Sequence, residues 1–261
     1  METSERITPE NIKSESNYLM YLRHAFAYSM ATKYIHEKNF VLDLGCGEGY
    51  GTNMLSHHAI NVIGLDIDMD SVAMATKKYK SKNCTFMHYN GETLPFKNNT
   101  FDIITSFQVI EHIKNEQQYL SEIHRTLKSD GLFILTTPNK ALRGGEATKP
   151  WNKYHFKEYV SNELSNILKN YFSQISLLGI RGNEQIQQKE KNRIKKILRI
   201  VSLDPLNLRS LIPEFIKQRI ITALQENKAD RKFMSMYKLD DYQLSVNNVD
   251  DCLDLLAICE K

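Results

Sequence analysis

Short apolar runs separated by longer amphipathic stretches recur along the first 180 residues of the chain. Phe40, Val41 and Leu42 open the series. Ile60 to Asp66, Cys84 to His88, Phe101 to Ser106, Leu132 to Thr136 and Phe172 to Ile180 continue it, and Cys252 to Cys259 closes it. Runs this short, rich in β-branched and aromatic residues and bounded by Gly, Asn, Asp and Pro, predict buried strands. Between them the apolar positions recur every three or four residues. That spacing predicts helices over Asn17–His36, through Asn53–His58, and over Asp68–Lys82, Ile113–Lys128 and Lys157–Lys169. Strict alternation of strand and helix means right-handed βαβ units on a parallel sheet. The sixth and seventh runs can pair antiparallel only if the roughly seventy residues between them, which carry no strand signal, leave and return as an excursion from a hairpin.

Composition adds little except through charge. The 261 residues fit one α/β domain with an insertion, and 41% apolar content is enough for a sizeable core. No apolar run approaches the roughly 20 residues that span a bilayer. The polar, acidic start is unlike a signal peptide, and four cysteines without CxxC spacing read as reduced thiols, so the sequence predicts a cytoplasmic protein. The net charge of +3 conceals an asymmetry: Glu184 to Lys232 holds 12 Lys and Arg against 6 Asp and Glu. The remainder of the chain, with 22 basic and 25 acidic residues, is slightly negative.

The candidate chemistry lies after the first strand, in FVLDLGCGEGYGT. Glycine occupies positions 45, 47, 49 and 51, and an acid, Asp66, ends the second strand 21 residues after Gly45. A glycine turn opening a helix lets backbone approach a ligand and points unpaired N–H groups at it. The acid suits ribose hydroxyls. A dinucleotide fingerprint needs GxGxxG, but Tyr50 or Thr52 falls where the third glycine should stand. Asp43, two residues before the first glycine, would repel a pyrophosphate. It suits a cationic ligand, with an α-ammonium group near a sulfonium, and so points to S-adenosylmethionine.

VLDLGCGEGYGT, GLDID, NGETLPFKNNTFDIITSFQVIEHI and LKSDGLFILTTPN resemble, in order, the motifs of class I S-adenosylmethionine-dependent methyltransferases. The likeness is greatest to members with an LPF loop and an EH pair after the fourth strand. It implies a Rossmann-like, seven-stranded, mostly parallel sheet with helices on both faces, an antiparallel pair of last strands, and a helical insertion before the final one. It also implies that Asp43 and the turn at Gly45, Cys46 and Gly47 hold the methionine end, and that Asp66 takes the ribose. Ile67 would pack on the adenine, with Asn90 standing where the family has Asp and accepting from the adenine amine through its carbonyl. Gly91 and Glu92 would complete that end, and Phe107 would line the cleft. The start of the chain, Glu5-Arg6 and then Arg23-His24-Ala25-Phe26-Ala27, resembles methyltransferases found with glycan-modifying enzymes. In that setting Arg23 reaches the methionine carboxylate from a lid helix; read from the residues alone, it is a solvated helix position.

Methyl transfer to a hydroxyl gains from a general base. His112, in the Glu111-His112 pair, and His155, in WNKYHFKEY, are the candidates, His155 being preferred. Relatives that hold a divalent cation carry ExxEH, but Gln108 replaces the first acid here, so no metal is expected. The sequence therefore predicts one methyltransferase domain. Its parts are a lid helix over 1–38, a cofactor-binding core over 39–182, a basic helical insertion over 183–246 and a last strand over 247–261. The acceptor is read as a sugar or glycan-intermediate hydroxyl, with a quinone-like or natural-product acceptor, or a cofactor-binding regulator without turnover, as alternatives. A basic amphipathic helix from Ile186 to Val201 suits an anionic membrane surface or packing on the body, and the striped segment Leu206 to Leu224 suits a lid or a homodimer contact. The charge excess lacks interleaved aromatics, so no nucleic-acid partner is expected.

Overall fold

The computed structural model describes residues 8–10, 12–144, 150, 152, 154–202 and 233–261. Among them the strands are β1 (Phe40–Leu44), β2 (Asn61–Asp66), β3 (Cys84–His88), β4 (Phe101–Phe107), β5 (Leu127–Pro138), β6 (Gln174–Gly182), β7 (Tyr242–Ser245) and β8 (Asp254–Glu260). They form one sheet in the order β3-β2-β1-β4-β5-β8-β6-β7. The chain reverses its strand order between β1 and β4, and at such a switch point ligands sit beyond the carboxyl ends of the strands. The helices are α1 (Glu15–Ala31), α2 (Tyr50–Ser56), α3 (Met69–Tyr79), α4 (Glu116–Thr126), α5 (Ser161–Leu168), α6 (Glu184–Ser202) and a single turn, α7 (Phe233–Met236).

The final strand slots antiparallel between β5 and β6, pairing Leu135 with Ala257 and Leu177 with Ala257. The expected antiparallel pairing of the sixth run with the last is therefore present. The sheet nevertheless has eight strands rather than seven. The extra one, β7, lies inside the excursion expected to be purely helical and pairs antiparallel with the end of β6, Gly182 to Tyr242 through Gly179 to Ser245. Four residues at a sheet edge, YQLS, carry too little apolar alternation to announce a strand.

The remaining differences have local causes. The expected helix from Ile113 starts only at Glu116, because Asn115 caps it by accepting from the Gln118 N–H. The expected turn at Ser129-Asp130-Gly131 is instead an irregularity inside β5, which already pairs with β4 from Leu127. α1 starts at Glu15 under a Ser14 cap, and α3 follows an Asp68 cap.

Alternation along the strands divides the core between two faces. Val41, Val62, Ile103, Ile134, Leu256 and Ile258 pack with Leu22, Phe26 and Ala27 of α1 and with Ile186 of α6. Their neighbours Leu42, Leu65, Ile104, Phe133, Leu255 and Ala257 pack with Leu120 and Ile123 of α4 and with Leu164 and Leu168 of α5. Each such fully buried side chain contributes roughly 1.5–3 kcal/mol relative to exposure. α6 is tied to the body by charge as well as by Ile186 and Ile194. Lys189 meets Glu15 at 2.7 Å, Lys191 meets Asp251, and Glu190 lies 3.5 Å from Arg23 of α1. Lys189 and Lys191 are thus paired with acids outside the helix, in keeping with the packing reading. The segment Leu206 to Leu224, like Trp151 and Glu5-Arg6, lies outside the described residues. Among those described, no helix is long and apolar enough to cross a membrane.

Candidate active site

The glycine turn joins β1 to α2 at the carboxyl edge of the sheet. Its first two N–H groups, of Gly45 and Cys46, donate to the Leu65 carbonyl at 2.7 and 3.2 Å, locking the turn against β2. A Cβ on Gly45 would lie 2.3 Å from Val109, on Gly49 2.6 Å from Phe86, and on Gly51 1.9 Å from the Tyr28 ring. Those three glycines are required by packing. Gly47 is different: with φ at +52° its missing Cβ would meet nothing within 4 Å. Bare backbone here faces open space, as a ligand cradle requires.

Asp43 turns inward. It is fully buried, and Thr52 Oγ1 (2.6 Å), Thr105 Oγ1 (2.9 Å) and Tyr28 Oη (3.2 Å) donate to it. Burial raises its pKa to about 6 although these three hydrogen bonds pull it down. Both its oxygens are engaged, so its charge would act on a ligand through the field beneath the turn and not by contact. Tyr28, which holds this carboxylate, escapes the sequence reading because it stands outside the periodic face of α1. Its ring also stacks edge-on against Phe107, 4.7 Å between centroids, so Phe107 is buried behind the turn.

Asp66, at the end of β2, accepts from the N–H groups of Gly47 (2.8 Å) and Asp68 (2.9 Å), bringing the open glycine and the acid together. Ile67 follows it, 62% exposed, beside Gly91, where it offers an apolar platform. The Asn90 carbonyl is not available as expected. It accepts from Glu92 N–H at 2.9 Å and Thr93 N–H at 3.2 Å, an Asx-type turn that shapes the loop. The three residues Asn90, Gly91 and Glu92 are exposed alongside it.

Arg23 is not solvated. It is 4% exposed, with Nε 2.8 Å from Asp254 Oδ2 and Nη1 3.5 Å from Glu190 Oε2. Burial works against its charge, but these two carboxylates more than offset it and hold its pKa above the ordinary value. Its guanidinium is thus engaged by β8 and α6, and is not presented to a ligand as the lid reading supposed. Gln108, in the left-handed region at φ 58°, donates from Nε2 to the same Asp254 oxygen at 3.2 Å.

The two candidate histidines, some forty residues apart in sequence, meet. Their rings are 4.8 Å apart between centroids, edge to face. His112 sits in a 3₁₀ turn after β4 with Nδ1 3.1 Å from the Tyr154 carbonyl. His155 is buried with Nδ1 2.7 Å from Glu158 Oε1, which Arg143 Nη1 also reaches at 2.8 Å. Glu111, buried, accepts from Thr137 Oγ1 at 3.0 Å. One ligating atom from each of Glu111, His112 and His155 lies within 4.8 Å of the others, a donor set of a kind that a divalent cation accepts. Sequence spacing shows the EH pair but not its partner, since only the return of the chain after β5 places His155 there.

Residues 42–135 match the family described as methyltransferase domain. Over 98% of its length the chain is 29% identical to a "Probable S-adenosylmethionine-dependent methyltransferase" of Mycolicibacterium smegmatis, covering 93% of that protein. Two Mycobacterium tuberculosis sequences with the same description align over only 58% of their length. A "Ubiquinone biosynthesis O-methyltransferase" of Bartonella quintana is 27% identical over 55% of this chain and 64% of its own. Among solved structures, a SAM-dependent methyltransferase of Thermotoga maritima shares the fold, with a TM-score of 0.57 at 14% identity over 92% of both chains. The open glycine beside a strand-end acid, the switch-point sheet, the methyltransferase-domain match and the near full-length relative converge on an S-adenosylmethionine-dependent methyltransferase with a Rossmann-like fold.

Proposed function

We propose that the chain methylates a hydroxyl of a sugar or glycan intermediate. The observation that carries this reading is the polarity of the carboxyl sheet edge beyond the glycine turn. Arg23, Glu111, Glu158, Glu190 and Asp254 are all buried there, with Gln108 and Arg143 against them. Charged groups are buried at such density only when they are paired, and what they offer an acceptor is hydrogen bonding. A quinone-like acceptor calls for an apolar wall instead. The Bartonella relative is the observation that favours that second reading.

In the proposed site the backbone at Gly45, Cys46 and Gly47 cradles the methionine end, and the Asp43 charge beneath it favours the cation. Asp66 takes the ribose hydroxyls, exchanging its hydrogen bond with Gly47. Ile67 covers the adenine, and the loop Asn90-Gly91-Glu92 closes over it through backbone groups, with Phe107 supporting the floor through Tyr28. When bound, S-adenosylmethionine supplies the methyl group, the carbon–sulfur electron pair remaining on sulfur. His155 takes the acceptor's proton as its oxygen attacks, and His112 packs against the imidazole to hold it. Arg23 joins α1, α6 and β8 over the acceptor end and serves the cofactor indirectly. The described parts of 1–38 and 183–246, in which α1 meets α6 and the Met234–Tyr237 segment, act together as a cover of the core.

The test is an acceptor screen that follows S-adenosylhomocysteine release with sugar nucleotides, lipid-linked sugars and quinone precursors, run with and without exhaustive chelation. Turnover of the sugar classes, unchanged by chelation, is expected. Turnover confined to quinone precursors refutes the acceptor assignment. Loss of activity on chelation, restored by one divalent cation, replaces the base with a cation held by the same cluster.

A further inference from the structure

We propose that Glu158 is a positioning residue for His155, fixing which ring nitrogen carries the proton. The inference rests on His155 as the base. A carboxylate accepts and does not donate, so a 2.7 Å contact between His155 Nδ1 and Glu158 Oε1 requires the proton on Nδ1. The lone pair is then on Nε2, and the ring's basic nitrogen has one defined direction. Both side chains are buried, at 0% and 3% exposure, so water does not compete for the contact.

Arg143 completes the device. Its Nη1 lies 2.8 Å from the same Glu158 oxygen and is itself 9% exposed. A guanidinium on the same oxygen favours the ionised carboxylate, which can only accept. When His155 accepts the acceptor's O–H proton at Nε2, the imidazolium forms against a carboxylate already in place. Among the described residues, Glu111 and His112 from the turn after β4 also face the His155 ring.

The three residues come from two places: Arg143 from the 3₁₀ turn after β5, and His155 and Glu158 from the segment leading into α5. The i to i+3 spacing of His155 and Glu158 is visible in HFKEY, but in a segment outside any helix it predicts no contact. The tertiary fold creates the pair and adds the arginine.

The experiment combines a spectrum with kinetics. In protein labelled with ¹⁵N-histidine, long-range proton–nitrogen correlations of the wild type should show His155 as the Nδ1–H tautomer. Glu158→Gln, whose amide can donate, should move it to Nε2–H and lower kcat by about 10²–10⁴-fold, with S-adenosylmethionine affinity unchanged. Glu158→Asp should recover part of kcat. An Nε2–H tautomer in the wild type overturns the proposal with no variant needed, even if Glu158→Gln does not fold. A Glu158→Gln enzyme within about twofold of wild-type kcat also overturns it. His155→Ala separates the two claims: retained turnover removes the base, whereas lost turnover beside an active Glu158→Gln removes only the positioning role.

Discussion

Replacing Asp43 by Asn should make the protein's stability less dependent on pH in one particular direction. Asp43 is fully buried, and its pKa rises to about 6 from an ordinary 3.8, chiefly by desolvation. The folded state therefore holds this proton more tightly than the unfolded chain. By linkage, the stability contributed at this site is present at low pH and is lost as pH rises through the folded pKa. A rise of about two units corresponds to about 3 kcal/mol of destabilisation at neutral pH. Roughly 2 kcal/mol of it should develop between about pH 4.5 and about pH 7.5. Other carboxylates have the opposite sign: the pKa values of Glu122, Glu158 and Glu190 are lowered, so their contributions vanish on acidification. The difference between wild type and Asp43→Asn cancels them. Urea denaturation of both proteins across that range, without cofactor, measures it. The wild type should lose ground to the variant by about 2 kcal/mol as pH rises. Thr52, Thr105 and Tyr28 must reorient around the amide, which shifts the whole curve but not its slope. A flat difference, or one that favours the wild type at high pH, would refute the account of a desolvated carboxylate beneath the turn.

Two glycines of the turn should fail in different ways. Gly51→Ala drives a Cβ to 1.9 Å from the Tyr28 ring and should cost about 1–3 kcal/mol or more by thermal unfolding, since the buried ring cannot yield freely. Gly47→Ala meets no atom and should cost only about 1–2 kcal/mol for its left-handed backbone, while calorimetric S-adenosylmethionine binding falls at least tenfold; the reverse order of effects would contradict the assignment. Arg23→Met leaves Asp254 buried without the cation at 2.8 Å, while Glu190 keeps Arg193, and should destabilise by about 3–5 kcal/mol in denaturant titration, with Asp254→Asn in the same chain restoring part of it. A loss below about 1 kcal/mol would mean that the pair is solvated after all.

The sequence by itself determined the sheet, the cofactor turn and the two faces of the core. Each is a local or periodic property. Val41 and Leu42, or Ile103 and Ile104, go to opposite faces because strand side chains alternate, and Gly45 to Gly51 declare a turn wherever they stand. Asp66 was legible because a strand end fixes its place relative to Gly47. β7 was not, because four residues at an edge gain their pairing from β6 rather than from their own pattern.

Only the tertiary structure decided the charged residues. Arg23 reads as a solvated or ligand-facing position until β8 inserts between β5 and β6 and sets Asp254 beside it, with Glu190 arriving on α6. Asp43 lies beneath the turn, and its partners leave no trace in the local sequence, since Tyr28 and Thr105 come from α1 and β4. His112 and His155 stood as separate candidates, and the fold joined them with Glu111, Glu158 and Arg143 into one buried group. The physical reason is the range of each interaction. Backbone propensity and side-chain alternation act over a few residues and leave a trace in the order of the chain. A buried charge is stable only opposite a partner, and nothing in a linear sequence records which distant residue that partner will be.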